Sequence, residues 1–316
     1  MQKVLAMFPG QGSQYVGMGQ KLAEDFPYVK EIFEEAEEAC HLPLRRLCQE
    51  GPESELKLTA YTQPCLLAVS VAYWHVLERE ASLRPAYFAG HSLGEYSALV
   101  ASGKLTLGRA AYLVHKRGQA MQEAVPAGVG AMAAVMKIPS DQLEALCVKH
   151  SRAGERVEIA NYNSEAQLVV AGHSAAVLRL CEELKQLQTR YVELPVSAPF
   201  HSSLMRPARQ EMKPLLEDTP IARNDAGIIA NLTGHLVQQY EARYLIEQID
   251  SPVRWIQSID TAKELGVTHY VEVGPGKVLF GLVRRMVPRD GCEVMATEDI
   301  SEAIPNISRL SSSLQH

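Results

Sequence analysis

The chain has 316 residues, of which 47% are hydrophobic and 22% are charged, and its formal net charge is -6. This length and hydrophobic content allow one large buried core, or a large core with a smaller satellite domain. The acidic balance argues against a nucleic-acid binder, because such proteins cluster lysine and arginine, and the pairs Arg45-Arg46 and Arg284-Arg285 are interpreted as solvated surface.

The cysteines and the N-terminus indicate the compartment. Six cysteines are scattered along the chain without a C-x-x-C pair or the histidine spacing of a zinc site, so we interpret them as reduced thiols and predict no metal site. The first apolar run is too short for a signal peptide, and no stretch approaches 18 apolar residues. We therefore expect a cytoplasmic protein that does not associate with a membrane.

The first predicted elements alternate between strand and helix. A strand at 4–8 runs into a glycine-rich turn at 9–13, an order that is typical of α/β architecture. The elements that follow are a helix at 22–40, a helix at 63–80, a strand at 86–89, a helix at 93–102 and a helix at 107–124. This part of the chain is predicted to form a sheet covered by helices.

The pattern changes after residue 127. Predicted strands at 129–136, 157–162, 167–172 and 189–194 enclose two helices, with Ser140 and Ser174 as expected caps. The order β-α-β-β-α-β predicts an inserted ferredoxin-like small domain at 128–196. Residues 1–127 and 197–316 are then the large domain, whose last strands are predicted at 226–230, 269–273 and 293–297, and the final dozen residues are predicted to be loose.

The pentapeptide Gly90-His91-Ser92-Leu93-Gly94 indicates a reactive serine. It follows a short apolar run and precedes a helix, as in a nucleophile elbow, where glycines on both sides remove side chains that would collide. Backbone N–H groups at the start of the helix could then stabilise an oxyanion. An ordinary serine in a glycine-flanked turn remains an alternative.

Catalysis by a serine requires a base, and His201 is the favoured candidate. It lies where the chain leaves the predicted small domain, and a crevice between domains is a frequent place for a substrate site. Most histidines, however, have only packing or surface roles. His91 is the competing candidate, but its ring would point away from Ser92 because side chains alternate along a strand.

The chain contains five short motifs, which are, in order, Phe8-Pro9-Gly10-Gln11-Gly12-Ser13-Gln14, Gly90-His91-Ser92-Leu93-Gly94-Glu95, Arg117-Gly118 before Met121-Gln122, Ala198-Pro199-Phe200-His201 and Val273-Gly274-Pro275-Gly276. Together they resemble the malonyl-CoA:acyl carrier protein transacylase family, which serves fatty-acid and polyketide synthesis. The resemblance spans nearly the whole chain. It implies a hydrolase-like core with a mostly parallel sheet and a ferredoxin-like insert, in agreement with the elements above.

The resemblance also implies the reaction. Ser92 would accept a malonyl group from malonyl-CoA and pass it to the phosphopantetheine thiol of a holo acyl carrier protein, with no bound cofactor besides the coenzyme A thioester substrate. His201 would be the base, oriented by backbone carbonyls near 248–252. Gln248 is assigned to this orienting stretch, although it could equally be an ordinary helix-end residue.

The same resemblance assigns the oxyanion hole to the backbone N–H groups of Leu93 and Gln11. The glycines around Gln11 let the backbone approach a thioester closely. A nucleotide-binding loop is the competing interpretation, but its third glycine would fall at Tyr15, and Gly274-Pro275-Gly276-Lys277 has Val278 where a P-loop needs serine or threonine.

Arg117 falls within the apolar stripe of the helix at 107–124, so its charge must find an anion or reach solvent. A guanidinium can hold a carboxylate through two parallel hydrogen bonds, and malonyl has a carboxylate that acetyl lacks. We therefore expect at least about tenfold selection for malonyl over acetyl. The alternative is that Arg117 bridges to a nearby glutamate or carbonyl.

Three further residues are candidates for the substrate pocket. Phe200 resembles the malonyl-selecting form of its motif, which would disfavour branched acyl groups, although it could be a packing aromatic. Asn161 and Asn163 could line the pocket or lie in exposed turns. An acyl-carrier-protein thioester hydrolase with the same Ser92 and His201, and a non-enzymatic carrier-protein scaffold, are the alternative functions.

Overall fold

The computed structural model describes residues 2–196 and 198–313. Its strands are β1 Val4–Phe8, β2 Tyr87–Gly90, β3 Gly130–Met136, β4 Val157–Ser164, β5 Gln167–His173, β6 Tyr191–Glu193, β7 Gly227–Ile229, β8 Leu236–Val237, β9 His269–Glu272 and β10 Glu293–Ala296. Its helices are α1 Gln20–Asp25, α2 Val29–Cys40, α3 Leu44–Gln49, α4 Glu53–Leu56, α5 Thr59–Glu80, α6 Gly94–Ala101, α7 Leu107–Glu123, α8 Ser140–His150, α9 Ser174–Gln186, α10 Arg206–Glu217, α11 Ala242–Gln248, α12 Trp255–Glu264, α13 Val278–Val283 and α14 Ile300–Ser313. The predicted large domain also takes in residues 1, 197 and 314–316, which lie outside the described residues.

The larger sheet has six strands in the order β10-β9-β1-β2-β7-β8. All neighbours are parallel except β7 and β8, which pair antiparallel at one edge. The prediction of an α/β fold with a mostly parallel sheet is therefore confirmed. Because parallel strands present their carboxyl ends at one edge, the segments after β1 and β2 meet there, and Phe8 pairs with Gly90.

Strand β1 shows why this sheet is buried on both faces. All five of its residues are buried, and they alternate between two hydrophobic clusters. Val4, Ala6 and Phe8 face the cluster that contains α5, whereas Leu5 and Met7 face the cluster that contains α12 and α13. Helices therefore cover both faces, as expected for a parallel sheet.

The second sheet has the order β4-β5-β3-β6 and is antiparallel throughout. Helices α8 and α9 pack on it through their own hydrophobic cluster. The predicted order β-α-β-β-α-β is present within 130–193. Strand β4 is also bonded to the segment between α11 and α12: Tyr162 N–H donates to Val253 O (2.9 Å) and Val253 N–H donates to Ala160 O (2.9 Å).

Several local predictions were wrong at element ends. The helix expected at 22–40 is two helices, α1 and α2, because Pro27 between them cannot continue a helix. Ser140 and Ser174 are the first residues of their helices, not caps, and the Ser174 hydroxyl donates to Gly128 O instead (2.8 Å). Helix α14 occupies most of the stretch predicted to be loose, where Ile307 and Leu310 are buried.

Among the described residues, no helix has the length and apolar character needed to cross a bilayer.

Candidate active site

Ser92 lies at the sharp turn between β2 and α6, and its backbone φ of 53° falls in the left-handed region. A side chain other than glycine rarely adopts this conformation, and where it occurs the surrounding structure must hold it. The glycines on either side permit the turn. A Cβ on Gly90 would overlap the backbone of Gly94, and a Cβ on Gly94 would overlap the carbonyl oxygen of Phe8.

The side chain of Asn231 clamps this turn. Its Oδ1 accepts the Ser92 N–H (2.6 Å), and its Nδ2 donates to the carbonyl of Gly90. One amide therefore bridges the peptide groups on both sides of His91. Because Asn231 is fully buried at the end of β7, the strained conformation of Ser92 is fixed by a neighbouring strand.

His201 is in hydrogen-bond contact with Ser92. Its Nε2 lies 2.7 Å from Ser92 Oγ, and its Nδ1 lies 3.0 Å from Gln248 O and 3.1 Å from Ser251 O. Carbonyl oxygens only accept hydrogen bonds, so Nδ1 carries the proton and Nε2 is free to accept from the serine hydroxyl. The arrangement is a Ser-His pair in which two backbone carbonyls select the tautomer.

The segment that holds His201 also holds the second sheet. Gln248 and Ser251 supply the two carbonyls, and Val253, two residues further on, makes the bonds to β4 described above. His91, the competing base, faces elsewhere: its Nε2 lies 2.8 Å from Asn163 Oδ1, and its ring lies against Trp255 at a centroid distance of 5.7 Å.

Arg117 is 1% exposed, and its guanidinium is bound only by neutral groups among the described residues. Nη1 donates to Gln63 Oε1 (2.9 Å), and Nη2 donates to Gln248 Oε1 (2.9 Å) and to Ser92 Oγ (3.1 Å). Its Nε is buried without a partner in that part of the chain. The expected alternative was a bridge to a glutamate or a carbonyl. No carboxylate of residues 2–196 or 198–313 lies within ion-pair distance of Arg117, whereas the side-chain carbonyl oxygens of Gln63 and Gln248 do accept from it.

A buried glutamate stands behind these groups. Glu95 is 0% exposed; its Oε1 accepts the Asn231 N–H (3.1 Å), and its Oε2 accepts the Gln248 side-chain N–H. Gln248 Nε2 also donates to Ser92 O (3.2 Å). Glu95, Asn231 and Gln248 thus form one network behind the cavity wall.

A cavity of about 180 Å³ opens beside Ser92. It is lined by predicted site residues from both sheets, namely Gln11, His91, Ser92, Arg117, Asn161, Asn163, Phe200 and His201, together with Gln63 and several apolar side chains. Leu93 and Gln248 are buried behind the wall. The residues of this cavity come from segments as distant in sequence as the loop after β1 and helix α13.

Two backbone N–H groups near Ser92 lack an acceptor. Within the described ranges, neither the N–H of Gln11 nor that of Leu93 donates a hydrogen bond to the protein. Leu93 precedes the first residue of α6, where backbone N–H groups have no partner within the helix. These are the two groups that the family resemblance assigned to the oxyanion hole.

Burial shifts the pKa of several groups at this site, of which three matter most for the chemistry. Desolvation, followed by the charge of Arg117, lowers the pKa of His201 to about 3, so its ring is neutral near pH 7. Desolvation raises the pKa of Glu95 to about 7 and lowers the pKa of Arg117. The described residues include no group of three or more His, Cys, Asp and Glu arranged to hold a metal ion.

Sequence reasoning missed Gln63, Asn231 and the role of Glu95. Gln63 and Asn231 have no local motif, and they reach the site only through long-range packing of α5 and β7. Glu95 was visible beside the serine motif, but its partners lie 136 and 153 residues away. The available sequence signal was a glutamate in the first turn of a predicted helix whose other residues are mostly apolar, a pattern that indicates a buried carboxylate.

Known proteins are similar to this chain over nearly all of its length. The family model "Acyl transferase domain" matches residues 6–304. A malonyl CoA-acyl carrier protein transacylase of Bacillus subtilis is 43% identical over 291 residues, which cover 90% of this chain and 91% of that protein. The protein of the same name from Escherichia coli K12 is 41% identical over 284 residues, covering 89% and 92%.

Solved structures show a similarity to proteins of the same kind. The malonyl-CoA:acyl carrier protein transacylase of Xanthomonas oryzae superposes with a TM-score of 0.92 at 38% identity, covering 97% of this chain and 98% of that one. A malonyl-transacylase solved in complex with a type II polyketide-synthase acyl-carrier protein also gives a TM-score of 0.92, at 37% identity and 98% and 100% coverage.

Proposed function

The chain belongs to the malonyl-CoA:acyl carrier protein transacylase family, and on that premise we propose that it transfers a malonyl group from malonyl-CoA to the phosphopantetheine thiol of an acyl carrier protein. Malonyl is proposed as the acyl group because of the surroundings of Arg117. Arg117 points a buried guanidinium at the Ser92 hydroxyl, and every hydrogen-bond partner it has among the described residues is neutral. An anionic acyl group in the cavity would supply the missing countercharge.

In the first half-reaction, Ser92 Oγ attacks the thioester carbonyl carbon while its proton passes to His201 Nε2. The 2.7 Å contact between these atoms supports this role, because a general base must lie within hydrogen-bond reach of the proton it takes. The carbon–sulfur bond then breaks, and the coenzyme A sulfur leaves with the proton from Nε2. The product is a malonyl ester on Ser92.

In the second half-reaction, the carrier-protein thiol gives its proton to His201 Nε2, and its sulfur attacks the ester. The ester bond breaks, and Ser92 Oγ recovers the proton from Nε2. The two carbonyls on Nδ1 keep Nε2 facing the serine through both halves. The chemistry as proposed asks for no cofactor, with coenzyme A entering as part of the substrate.

The oxyanion formed in each half would be held by the backbone N–H groups of Gln11 and Leu93, a role supported by their lack of other acceptors within the described ranges. Gly10 supports the close approach, since a Cβ there would overlap the carbonyl oxygen of His91. A single donor of this kind is worth about 10²–10³ in rate.

Malonyl binding would also raise the pKa of the base, His201. The charge of Arg117 is the second cause that lowers the pKa of His201. A malonyl carboxylate paired with Arg117 would offset that charge, so the pKa of His201 would rise when the substrate is bound and the imidazolium would form more easily. Acetyl has no carboxylate and would leave His201 a weaker base.

We also propose the remaining site and domain assignments. Phe200, Asn161 and Asn163 would shape the acyl space, which is supported by their positions in the cavity wall. Residues 1–127 with 197–316 would be a hydrolase-like large domain, and 128–196 a ferredoxin-like small domain, supported by the β4-β5-β3-β6 order. The cytoplasm remains the proposed location, supported by the free state of all six cysteines.

Intact-mass spectrometry tests the proposal. The protein is incubated with malonyl-CoA or acetyl-CoA and then with a holo acyl carrier protein, alongside Ser92→Ala and Arg117→Ala. Arg109→Ala is the matched control, because Arg109 lies on the same helix and binds Thr219 and Leu215.

We expect a malonyl adduct that requires Ser92, falls at least about tenfold without Arg117 but not without Arg109, and moves to the carrier protein. An adduct that forms equally from acetyl-CoA would contradict the malonyl assignment. An adduct that decays to free acid without reaching the carrier would favour the hydrolase.

A further inference from the structure

Glu95 takes no part in the proton transfers above, yet it is a fully buried carboxylate three residues after Ser92. Burying a charge is costly unless its oxygens are well bonded, so its retention in the first turn of α6 calls for a function. The side chain has no ion-pair partner within 4.0 Å in the described part of the chain; Glu95 is bound by an amide on each oxygen.

The two oxygens of Glu95 reach the two halves of the site. Oε1 accepts from the backbone of Asn231, whose side chain clamps the turn at Ser92. Oε2 accepts from the side chain of Gln248, whose backbone carbonyl holds His201 and whose Oε1 accepts from Arg117. A single carboxylate therefore connects the serine, the base and the arginine.

Glu95 acts together with Arg117 and the carbonyl of Ser92 to fix which way the Gln248 amide faces. The oxygen and nitrogen of such an amide are nearly equal in size, so packing alone does not distinguish the two orientations. An ionised carboxylate only accepts hydrogen bonds, and the NH₂ of Gln248 must therefore face Glu95. The Oε1 of Gln248 then faces Arg117, which only donates.

We propose that Glu95 is a positioning residue, whose ionised carboxylate fixes the Gln248 amide and the Asn231 backbone and thereby aligns Ser92, His201 and Arg117. The proposal rests on the function proposed above. Replacement of the carboxylate by an amide would present an N–H to one of the two donors. If that N–H faced Gln248, the Gln248 amide would turn over and its NH₂ would oppose the donors of Arg117; if it faced Asn231, it would oppose the backbone N–H of the residue that clamps Ser92.

Protonation of Glu95 should have a similar effect. The titratable groups around it are Tyr96 on its own helix, Arg117 on α7 and Tyr240 after β8. Desolvation raises the pKa of Glu95 to about 7, so its carboxylate gains a proton as the pH falls through that value. The pKa of His201 is lowered to about 3, so the base itself does not titrate there in the free protein.

Rapid-quench measurement of the second-order rate constant for Ser92 acylation, at malonyl-CoA concentrations well below saturation and from pH 5.5 to 8.5, tests this, with Glu95→Gln compared with wild type; at low substrate this constant reports the groups that titrate in the free protein. Glu272→Gln is the matched control: Glu272 is also fully buried, and desolvation raises its pKa to about 7, but it binds the N–H groups of Leu279 and Phe280 instead.

We expect wild type and Glu272→Gln to slow as the pH falls below about 7, because both keep Glu95. We expect Glu95→Gln to be at least about tenfold slower at pH 8 and to lack this dependence. Glu95→Asp should keep the dependence, because it keeps a carboxylate, and it carries the test if Glu95→Gln does not fold.

If Glu95→Gln is acylated at pH 8 within about threefold of the wild-type rate, the proposed role of Glu95 is wrong, but the proposed function of the protein stands. The proposed role is also wrong if the acylation rate of Glu95→Gln still falls below pH 7, or if that of Glu95→Asp no longer does. A wild-type protein that forms no adduct on Ser92 would overturn the proposed function itself, and this role with it.

Discussion

The two walls of the cavity differ in how they are held. On the wall built from the parallel sheet, Ser92 and Arg117 are each fixed by hydrogen bonds to residues far away in sequence. The facing wall, from the antiparallel sheet, contributes Met132, Val169, Asn161 and Asn163, of which only the two asparagines have polar side chains. The comparison teaches that reacting groups are concentrated on the rigid wall, whereas the other wall defines the space for the acyl group.

The largest expected effect is on the rigid wall. His201→Ala should reduce the rate of malonyl transfer by about 10³-fold or more, because no other described side chain lies in hydrogen-bond contact with Ser92 Oγ as a base. The rate of Ser92 acylation by malonyl-CoA measures this. His91→Ala is the comparison, and an equal loss in both variants would contradict the assignment of the base.

The next effect concerns the close backbone approach under the serine. Gly94→Ala should lower the free energy of unfolding by about 3 kcal/mol or more, because its Cβ would overlap the backbone of Phe8. Urea unfolding measures the change. Gly281→Ala is the matched control: it lies in α13 with open space around it, and it should stabilise the protein by about 0.5–1 kcal/mol. Equal stability of the two variants would show that the turn under Ser92 is not tightly packed.

The neutral His201 should also make stability depend on pH. Its pKa is about 3 in the folded protein, against 6.5 for an unperturbed histidine, so the unfolded chain binds the extra proton between these values. Its contribution to stability is full above pH 6.5 and is lost as the pH falls, by about 1.4 kcal/mol per unit.

From pH 6.5 to 5.0, wild type should therefore lose about 2 kcal/mol more than His201→Gln in urea unfolding. The buried glutamates titrate with the opposite sign, but both proteins contain them, so they cancel in the difference. The same exchange at the exposed His75 controls for the removal of a histidine. Identical losses in wild type and His201→Gln would rule out a strongly lowered pKa.

The smallest effect is expected on the facing wall. Asn161→Ala should raise the KM for malonyl-CoA by about fivefold or less, with the acylation rate within about threefold of wild type, since the side chain lines the cavity but is not among the described hydrogen-bond partners of Ser92 or His201. Steady-state and single-turnover kinetics separate the two quantities. A large loss in the acylation rate would show that this wall also takes part in the chemistry.

Much of this organisation could be predicted from local sequence. Strand β1 was predicted with its observed bounds, and the Ser92 turn and the element order of the second sheet were recognised, because each depends on short-range periodicity or on glycine. The position of His201 at the end of the predicted small domain already favoured it as the base, and the resemblance to a family assigned its role and the oxyanion-hole residues; its contact with Ser92 joins positions 109 residues apart.

The network behind the site could not be predicted in this way. Asn231, after β7, and Gln248, at the end of α11, meet Glu95 only in the folded chain, and no spacing rule connects them. The prediction at the end of α1 also failed, because the helical pattern over 22–40 was given more weight than Pro27, which ends the helix. Burial of polar groups is a property of the folded chain, so their partners become visible only in three dimensions.

The short segment from Gln248 to Val253 contacts both the catalytic base and the second sheet. Its first carbonyls aim His201, and its last residue continues the edge of β4. A shift of the antiparallel sheet would therefore pull on the imidazole as well as widen the pocket. An acyl group too bulky for the cavity would thus be penalised twice, once by steric exclusion and once by misalignment of the base that must act on it.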